Sequence, residues 1–180
     1  MMLAEQIANR NFLSSVGFRF ILGKNQKITY FCQSANIPAI TLLTANQPTP
    51  FVSLATPAGF EYDDLNLTFL IDEDLENYTL IQKWIRGLGV PDSFSDRAEY
   101  ERVNTNPSDG KFSPYTDGTL FVLNSNLKTV AQIKFEDVYP VSLNTLRFES
   151  SGTDTDYFVA EVTFKYKSYD LCNKEGVSVI

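Results

Sequence analysis

The clearest change of period along the chain falls between residues 63 and 91. Leu65, Leu67, Phe69 and Ile71 alternate with Asn66, Thr68, Leu70 and Asp72, which predicts a strand with one strongly buried face. Leu75, Tyr78, Ile81, Trp84, Ile85 and Leu88 then recur at helical spacing and predict an apolar stripe on one helix. Asp72, Glu73, Asp74 and Glu76 crowd its start, where carboxylates cap free N–H groups and oppose the positive end of the dipole. Gly87, Gly89 and Pro91 supply its stop. This is the one long helix the pattern supports, and it carries the only Trp. The expectation is a β-structure that the helix plugs or flanks.

Upstream, Phe18, Phe20 and Leu22 alternate with Arg19 and Ile21, and Ile28, Tyr30 and Cys32 alternate with Thr29, Phe31 and Gln33. Residues 23–26 read as the loop of a hairpin that pairs these two strands. Residues 2–9 suffice for one or two helical turns, too few to be stable undocked. Downstream, residues 118–125 and 129–135 form a strand pair. Val138-Tyr139-Pro140 reads as a turn, residues 141–148 as a strand or a strand with a bulge, and residues 150–156 as a turn-rich loop. Residues 157–169 give the cleanest alternation, with Phe158, Ala160, Val162, Phe164 and Tyr166 on one face. Residues 170–180 read as a loose tail. The polar run 92–117 lacks clear period apart from a short helix at 95–102, and loops of that length are usually functional or mobile. The sum is one domain over residues 1–180, mainly β with one central helix (α+β). Its architecture is an antiparallel β-sandwich or β-barrel of about eight strands.

Residues 35–60 differ in character. Pro38, Pro48, Pro50 and Pro57 interrupt apolar runs at 40–43 and 51–54, and no charged residue occurs from Ala35 to Gly59. Proline cannot donate a ladder hydrogen bond, so these strands belong at an edge or in an arm. Two short strands around residues 46–50 give an extended hairpin. One reading is a meander packed on its own core. The other is an apolar, proline-blunted arm that packs on another subunit, with Ile40, Leu42, Gln47, Pro48, Pro50, Phe51, Val52, Leu54 and Pro57 as its contact residues.

Composition narrows the function. Fifteen basic against twenty-two acidic residues give a net charge of −7, the wrong sign for a duplex-binding face. At 43% hydrophobic and 13% aromatic, 180 residues bury a core without staples, and fourteen Phe with nine Tyr favour β-structure. Cys32 sits in a strand pattern and Cys172 in a polar tail. Their separation makes neither a disulfide framework nor a metal spacing, so both are expected reduced in a cytoplasmic setting. No apolar run reaches 18 residues, and residues 1–9 lack the regions of a secretory signal, so neither membrane insertion nor export is expected. The Asn66-Leu-Thr68 and Asn77-Tyr-Thr79 triplets are then chance matches to a glycosylation acceptor.

No His is present, so the commonest general base and metal ligand is missing and a Ser-His or Cys-His pair is impossible. No glycine-rich phosphate loop or dinucleotide fingerprint occurs. Asp72-Glu-Asp74 reads as capping, Asp63-Asp64 as a solvated turn, and Asp154-Thr-Asp156 as a turn that lacks the remaining ligands of an EF-hand loop. Catalytic, metal-binding and cofactor-binding residues are therefore all expected to be absent. Two other classes were weighed. A carbohydrate-binding β-sandwich would use Trp84 or the Tyr157/Tyr169 face, but a lone Trp on a buried stripe speaks against it. A glycosidase using carboxylates alone needs a facing acid pair that the sequence does not place.

Several stretches together resemble the tail-tube family of contractile-tailed, T-even-like bacteriophages. They are NFLSSVGFRF at 11–20, YFCQSANIPAITL with the following QPTPFV at 30–52, LTFLIDEDLENYTLIQKWIRGLG at 67–89, and FVAEVTFKYKSYDL at 158–171. The order of parts carries the match, and the run 92–117 departs from the shortest members. The resemblance implies a non-enzymatic virion protein of the tail, assembled in the host cytoplasm, whose sixfold rings stack into a hollow tube. It also implies that inner strands join into one barrel around the lumen and that an extended hairpin reaches between subunits and rings. The implied partners are the chain itself, the tail sheath protein, and the baseplate and tail-terminator proteins, while DNA passes through the lumen without specific binding. An end ring of the same fold, initiator or terminator, is the alternative role. Two readings of the residues agree: an uncharged arm suits a buried contact, and an acidic wall repels phosphates.

Overall fold

The computed structural model describes residues 13, 17–23, 29, 31–48, 50–89, 95, 97–98, 101, 113–146, 148 and 157–179. Among them the chain forms strands β1 (Phe18–Leu22), β2 (Cys32–Ala35), β3 (Ile40–Gln47), β4 (Leu54–Tyr62) and β5 (Leu65–Leu70), then helix α1 (Glu76–Leu88). Strands β6 (Thr116–Leu123), β7 (Thr129–Leu143), β8 (Val159–Lys165) and β9 (Ser168–Asn173) follow. Every named pair is antiparallel. The main sheet runs β1-β6-β7-β8-β5-β2 with β9 also on β7, while β3 and β4 form a separate two-stranded sheet. The mainly β, antiparallel, one-helix fold is the one expected from the sequence.

Strand β7 organises the sheet by bending. Its first half lies between β6 and β9, and its second half pairs with β8. The bend is a bulge: Thr116 faces Val138, but Gly118 already faces Phe135, and Asp137 has φ 53°. The opposite edge breaks in step, at Tyr166-Lys167 between β8 and β9, where the Lys167 N–H donates to the Glu136 carbonyl at 3.0 Å. Close approach at the bend needs Gly118, because a Cβ there would meet Phe20 Cζ at 3.2 Å.

Four expectations are corrected by this geometry. Val138-Tyr139-Pro140 is not a turn but part of a fifteen-residue strand, with Pro140 tolerated beside a second irregularity in the ladder to β8. The strand expected at 157–169 breaks at Tyr166, because a bulge leaves the alternation on either side intact. Residues 170–180 are not simply a loose tail: β9 runs to Asn173, Cys172 is buried, and Ser178 bridges back to it around a turn with Gly176 at φ 79°. The hairpin joining the first two strands is also wrong, since β1 pairs with β6 and β2 with β5.

The core lies between the two halves of the bent sheet. Phe20 and Leu22 of β1, Leu65, Leu67 and Phe69 of β5, Ile133, Phe135 and Val138 of β7, and Ala160, Val162 and Phe164 of β8 are all buried in it. Helix α1 flanks this core through Ile81 and Trp84, with the indole 6.1 Å from the Phe164 ring and its Nε1 donating to the Pro114 carbonyl at 2.9 Å. Trp84 is thus the core residue its stripe predicts.

The helix start and stop differ from expectation. No side chain caps the N-terminus, and Asp72, Glu73 and Asp74 precede the helix in a turn closed by Leu75 N–H on the Asp72 carbonyl at 2.9 Å. Leu75, expected on the buried stripe, is exposed in the left-handed conformation at φ 56°. Asn77 replaces the carboxylates as the organising group. Its Nδ2 donates to the Leu70 carbonyl at 2.7 Å, while its Oδ1 accepts from the Tyr78 N–H at 2.8 Å and the Asp72 N–H at 3.3 Å. Its amide is wholly buried, so the triplet it begins is no surface acceptor. Gly87 does not stop the helix but is buried within it, and Gly89 is the C-cap. The strand or bulge expected over 141–148 ends at Leu143. Ser95, Arg97, Ala98 and Glu101 are helical within the helix expected at 95–102, with Arg97 and Glu101 paired at 2.8 Å. The expectations for residues 2–9, 24–26 and 150–156, including Asp154 and Asp156, lie outside the described residues.

Candidate assembly surface

The segment without charge forms the hairpin β3–β4 up to its last residues, where Glu61 near the foot is the one charge on the two strands. Ile40 faces Tyr62 and Leu42 faces Phe60. A bulge between Leu43 and Thr44 then shifts the register, so that Thr44 faces Pro57 and Gln47 faces Leu54. Among the described residues no other strand pairs with either member. Side chains on both faces are exposed. Ile40, Leu42 and Phe60 emerge on one face and Leu43 and Leu54 on the other, and all five are exposed. Leu42 is 60% exposed, Phe60 61%, and Phe51 at the tip 95%. The nine residues singled out from sequence, Ile40, Leu42, Gln47, Pro48, Pro50, Phe51, Val52, Leu54 and Pro57, are all exposed on this hairpin or its tip. The meander packed on its own core is thereby overturned. Leu43 and Phe60, not singled out from sequence, are exposed on the same hairpin, one on each face.

A two-stranded ribbon with no buried face has little stability of its own, so its foot must hold it. Asn36, at the entry, donates from Nδ2 to the Asp64 carbonyl at 3.0 Å and accepts at Oδ1 from the Asn66 N–H at 2.6 Å. The Asp63 N–H donates to the Ala39 carbonyl at 3.0 Å. Two tyrosines from the β8–β9 break clamp both sides. The Tyr166 hydroxyl donates to the Asp63 carbonyl at 2.8 Å, and the Tyr169 hydroxyl to the Pro38 carbonyl at 3.1 Å. Tyr62 packs against both, 5.8 Å from the Tyr166 ring and 5.2 Å from the Tyr169 ring, which are themselves 5.9 Å apart, and Phe135 backs both tyrosines. Lys165 pairs with Asp64 beside the clamp. The break in β8–β9 that alternation missed is what turns these two hydroxyls toward the foot.

Burial pushes the Tyr166 hydroxyl well above the ordinary phenol range, with Tyr169, Tyr62 and the nearby Asp63 and Asp64 adding to the shift. Burial and Tyr62 raise Tyr169 in the same direction. Burial lifts the Cys32 thiol to about 11 and so disfavours the thiolate, against the opposing effect of a backbone hydrogen bond from Ser34. Among the described residues no cluster of three potential metal ligands occurs, and no helix is long and apolar enough to cross a membrane.

A bent antiparallel sheet, one flanking helix and a projecting hairpin make up a tube-type β fold, which recurs in solved components of contractile injection particles. The tube-terminating cap of the anti-feeding prophage superposes with a TM-score of 0.66 at 12% identity, over 94% of this chain and 96% of the cap chain. A chain of the extended sheath–tube complex of the extracellular contractile injection system PVC gives 0.59 at 13% identity, over 96% and 99%. These likenesses are of fold. The sequence itself matches the phage tail tube protein family over residues 3–171, and the chain belongs to that family. No curated protein matches it.

Proposed function

We propose that this chain is a structural, non-enzymatic subunit of the inner tube of a contractile tail. Copies associate into sixfold rings, the rings stack into a hollow tube inside the sheath, and DNA leaves through the lumen without specific binding. The observation that supports it above all is the uncharged hairpin, with apolar side chains exposed on both faces. Ile40, Leu42, Gln47, Pro48, Pro50, Phe51, Val52, Leu54 and Pro57 are its subunit contacts. Exposed patches of this kind mark interaction sites, and association removes them from water. The partners are further copies of the chain, the sheath, and the baseplate and terminator proteins. The place of action is the tail of the particle, with assembly in the host cytoplasm and no membrane insertion. The net charge of −7 suits a conduit that repels phosphates.

An end ring is the second reading, favoured by the fold likeness to a tube-terminating cap at a TM-score of 0.66. Negative-stain microscopy of the purified chain across a concentration series tests the proposal. Hollow filaments or stacked rings are expected, and a version with residues 44–57 replaced by a short turn is expected to stay soluble and unassembled. Normal filaments from that shortened chain would sink the proposal. Copy number per particle separates tube from end ring, since a tube subunit fills many rings and an end ring only one.

A further inference from the structure

We infer that the apolar groove at the pole opposite the arm is the seat for the arm tip of a second copy of this chain, an inference that rests on the assembly reading above. The groove has a volume of about 700 Å³, and its walls include Phe31, Leu70, Ile71, Phe148, Tyr157 and Phe158. Phe148 and Phe158 stack with ring centroids 4.7 Å apart. Tyr157 is 83% and Phe148 69% exposed. Asp72 borders the same groove, and its Oδ1 is buried with no hydrogen-bond partner among the described residues. A buried carboxylate oxygen left in this way is costly, and a donor brought by an occupant would satisfy it.

The topology sets the arm and the groove at opposite ends of one strand layer. Strand β5 begins at Leu65, next to the foot at Asp63 and Asp64, and ends at Leu70 in the groove. Strand β8 runs the other way: Val159 faces Leu70 and Phe164 faces Leu65. Strand β2 leaves the groove beside Phe31 and delivers the chain to Asn36 at the foot. Six residues of strand separate the foot from the groove by about 20 Å, and the eight residues of β3 give the arm a length of about 26 Å. The tip does not enter its own groove, because Phe51 stays almost fully exposed. One chain thus carries an uncharged apolar projection at one pole and an apolar depression at the other. That pairing is a head-to-tail contact, the kind that closes into a ring or grows into a helical stack. The arm also brings no carboxylate to repel Asp72 and Glu73 at the groove wall.

Paired cysteines test it. In the full chain carrying Cys32→Ser, Phe51→Cys is combined with Tyr157→Cys, and the assembled material is oxidised. A ladder of dimer, trimer and higher species is expected on a non-reducing gel, while each single variant stops at dimer. Separately, Phe148→Glu is expected to raise the concentration needed for assembly at least about tenfold, because it places a carboxylate in an apolar contact. Adding Phe51→Lys to it should restore assembly. Phe148 is exposed, so an unchanged melting temperature confirms that the fold survives; if the variant unfolds, the cysteine ladder alone decides. Wild-type assembly with no ladder overturns the groove and leaves the tube reading standing. A wild-type chain that stays monomeric at every concentration overturns both.

Discussion

Strands β5 and β3 look alike as strings of letters and behave in opposite ways. Both are antiparallel and rich in branched and aromatic partners. In β5, Leu65, Leu67 and Phe69 are completely buried, because β8 and β2 flank the strand and the rest of the sheet covers its face. In β3, Ile40 and Leu42 stand more than half exposed, because among the described residues the strand pairs with β4 alone and no layer packs on its faces. The difference teaches that apolar alternation reports a face that needs covering, not a face that is covered. What covers β5 is in the same chain, whereas nothing among the described residues covers the faces of β3. The lack of charge over residues 35–59 is the better guide, since solvent-facing strands in a monomer normally carry charges that blunt their edges.

The sharpest way to break the comparison is to make the arm polar. Leu42→Ser with Phe60→Ser should abolish filaments in the microscope while leaving the unfolding free energy of the monomer, from denaturant titration, within about 0.5 kcal/mol per substitution, as for other exposed sites. Filaments that persist, or a monomer that unfolds, would erase the distinction between the two ribbons. The converse comes from the core. Phe164→Ala should cost about 3–5 kcal/mol of monomer stability through lost burial and the cavity left beside Trp84, read by urea titration with tryptophan emission. A loss near zero would mean that α1 does not depend on the sheet beneath it.

Asn77 sharpens the comparison at the next level down, because it joins β5 to α1 where the arm has only its foot. Asn77→Ala leaves the Leu70 carbonyl and two backbone N–H groups to find other partners in a buried place. The expected loss is about 1–3 kcal/mol of unfolding free energy, and Asn77→Asp should not recover it, since a carboxylate cannot donate to Leu70. Equal stability of all three chains would show that the turn holds itself.

What was legible in the sequence follows from what leaves a periodic trace. The strand–helix unit at 65–88 was legible because period 2 gives way to period 3.6 across Leu75. The arm was legible because prolines and missing charges mark it over 35–59. The bends were not. A bulge at Asp137 inserts one residue and preserves alternation on both sides, so β7 read as two strands with a turn, and β8–β9 read as one. Strand partners were not legible either, as β1 shows: nearness in sequence favoured β2, but its face matched β6. The acidic run before the helix was misread because carboxylates at that place are commonly caps, whereas here an internal amide makes the bonds. On the candidate surface the exposed apolar side chains were readable one by one. The tyrosine clamp was not, because Tyr166 and Tyr169 are more than a hundred residues from the carbonyls they hold.

The smallest expected effect tests that clamp. Tyr166→Phe removes one hydrogen bond at the foot, worth about 0.5–1.5 kcal/mol, and keeps the ring that packs on Tyr62 and Phe135. The hydroxyl also has a signature in pH. Its pKa is raised in the folded chain, mainly by burial, so below the ordinary phenol value of about 10 both folded and unfolded chains hold the proton and stability is constant. Above about 10 the unfolded chain loses the proton first and binds fewer protons than the folded chain, so stability falls as pH rises toward the folded value. Melting temperatures from pH 9 to 11.5 should therefore decline more steeply for the wild-type chain than for Tyr166→Phe. Other tyrosines and lysines contribute equally to both curves, so the difference in slope isolates this group. Parallel curves would mean that Asp63 is held by the backbone bond to Ala39 alone. The arm would then be free to swing at its foot, unlike β5, which is held along its whole length.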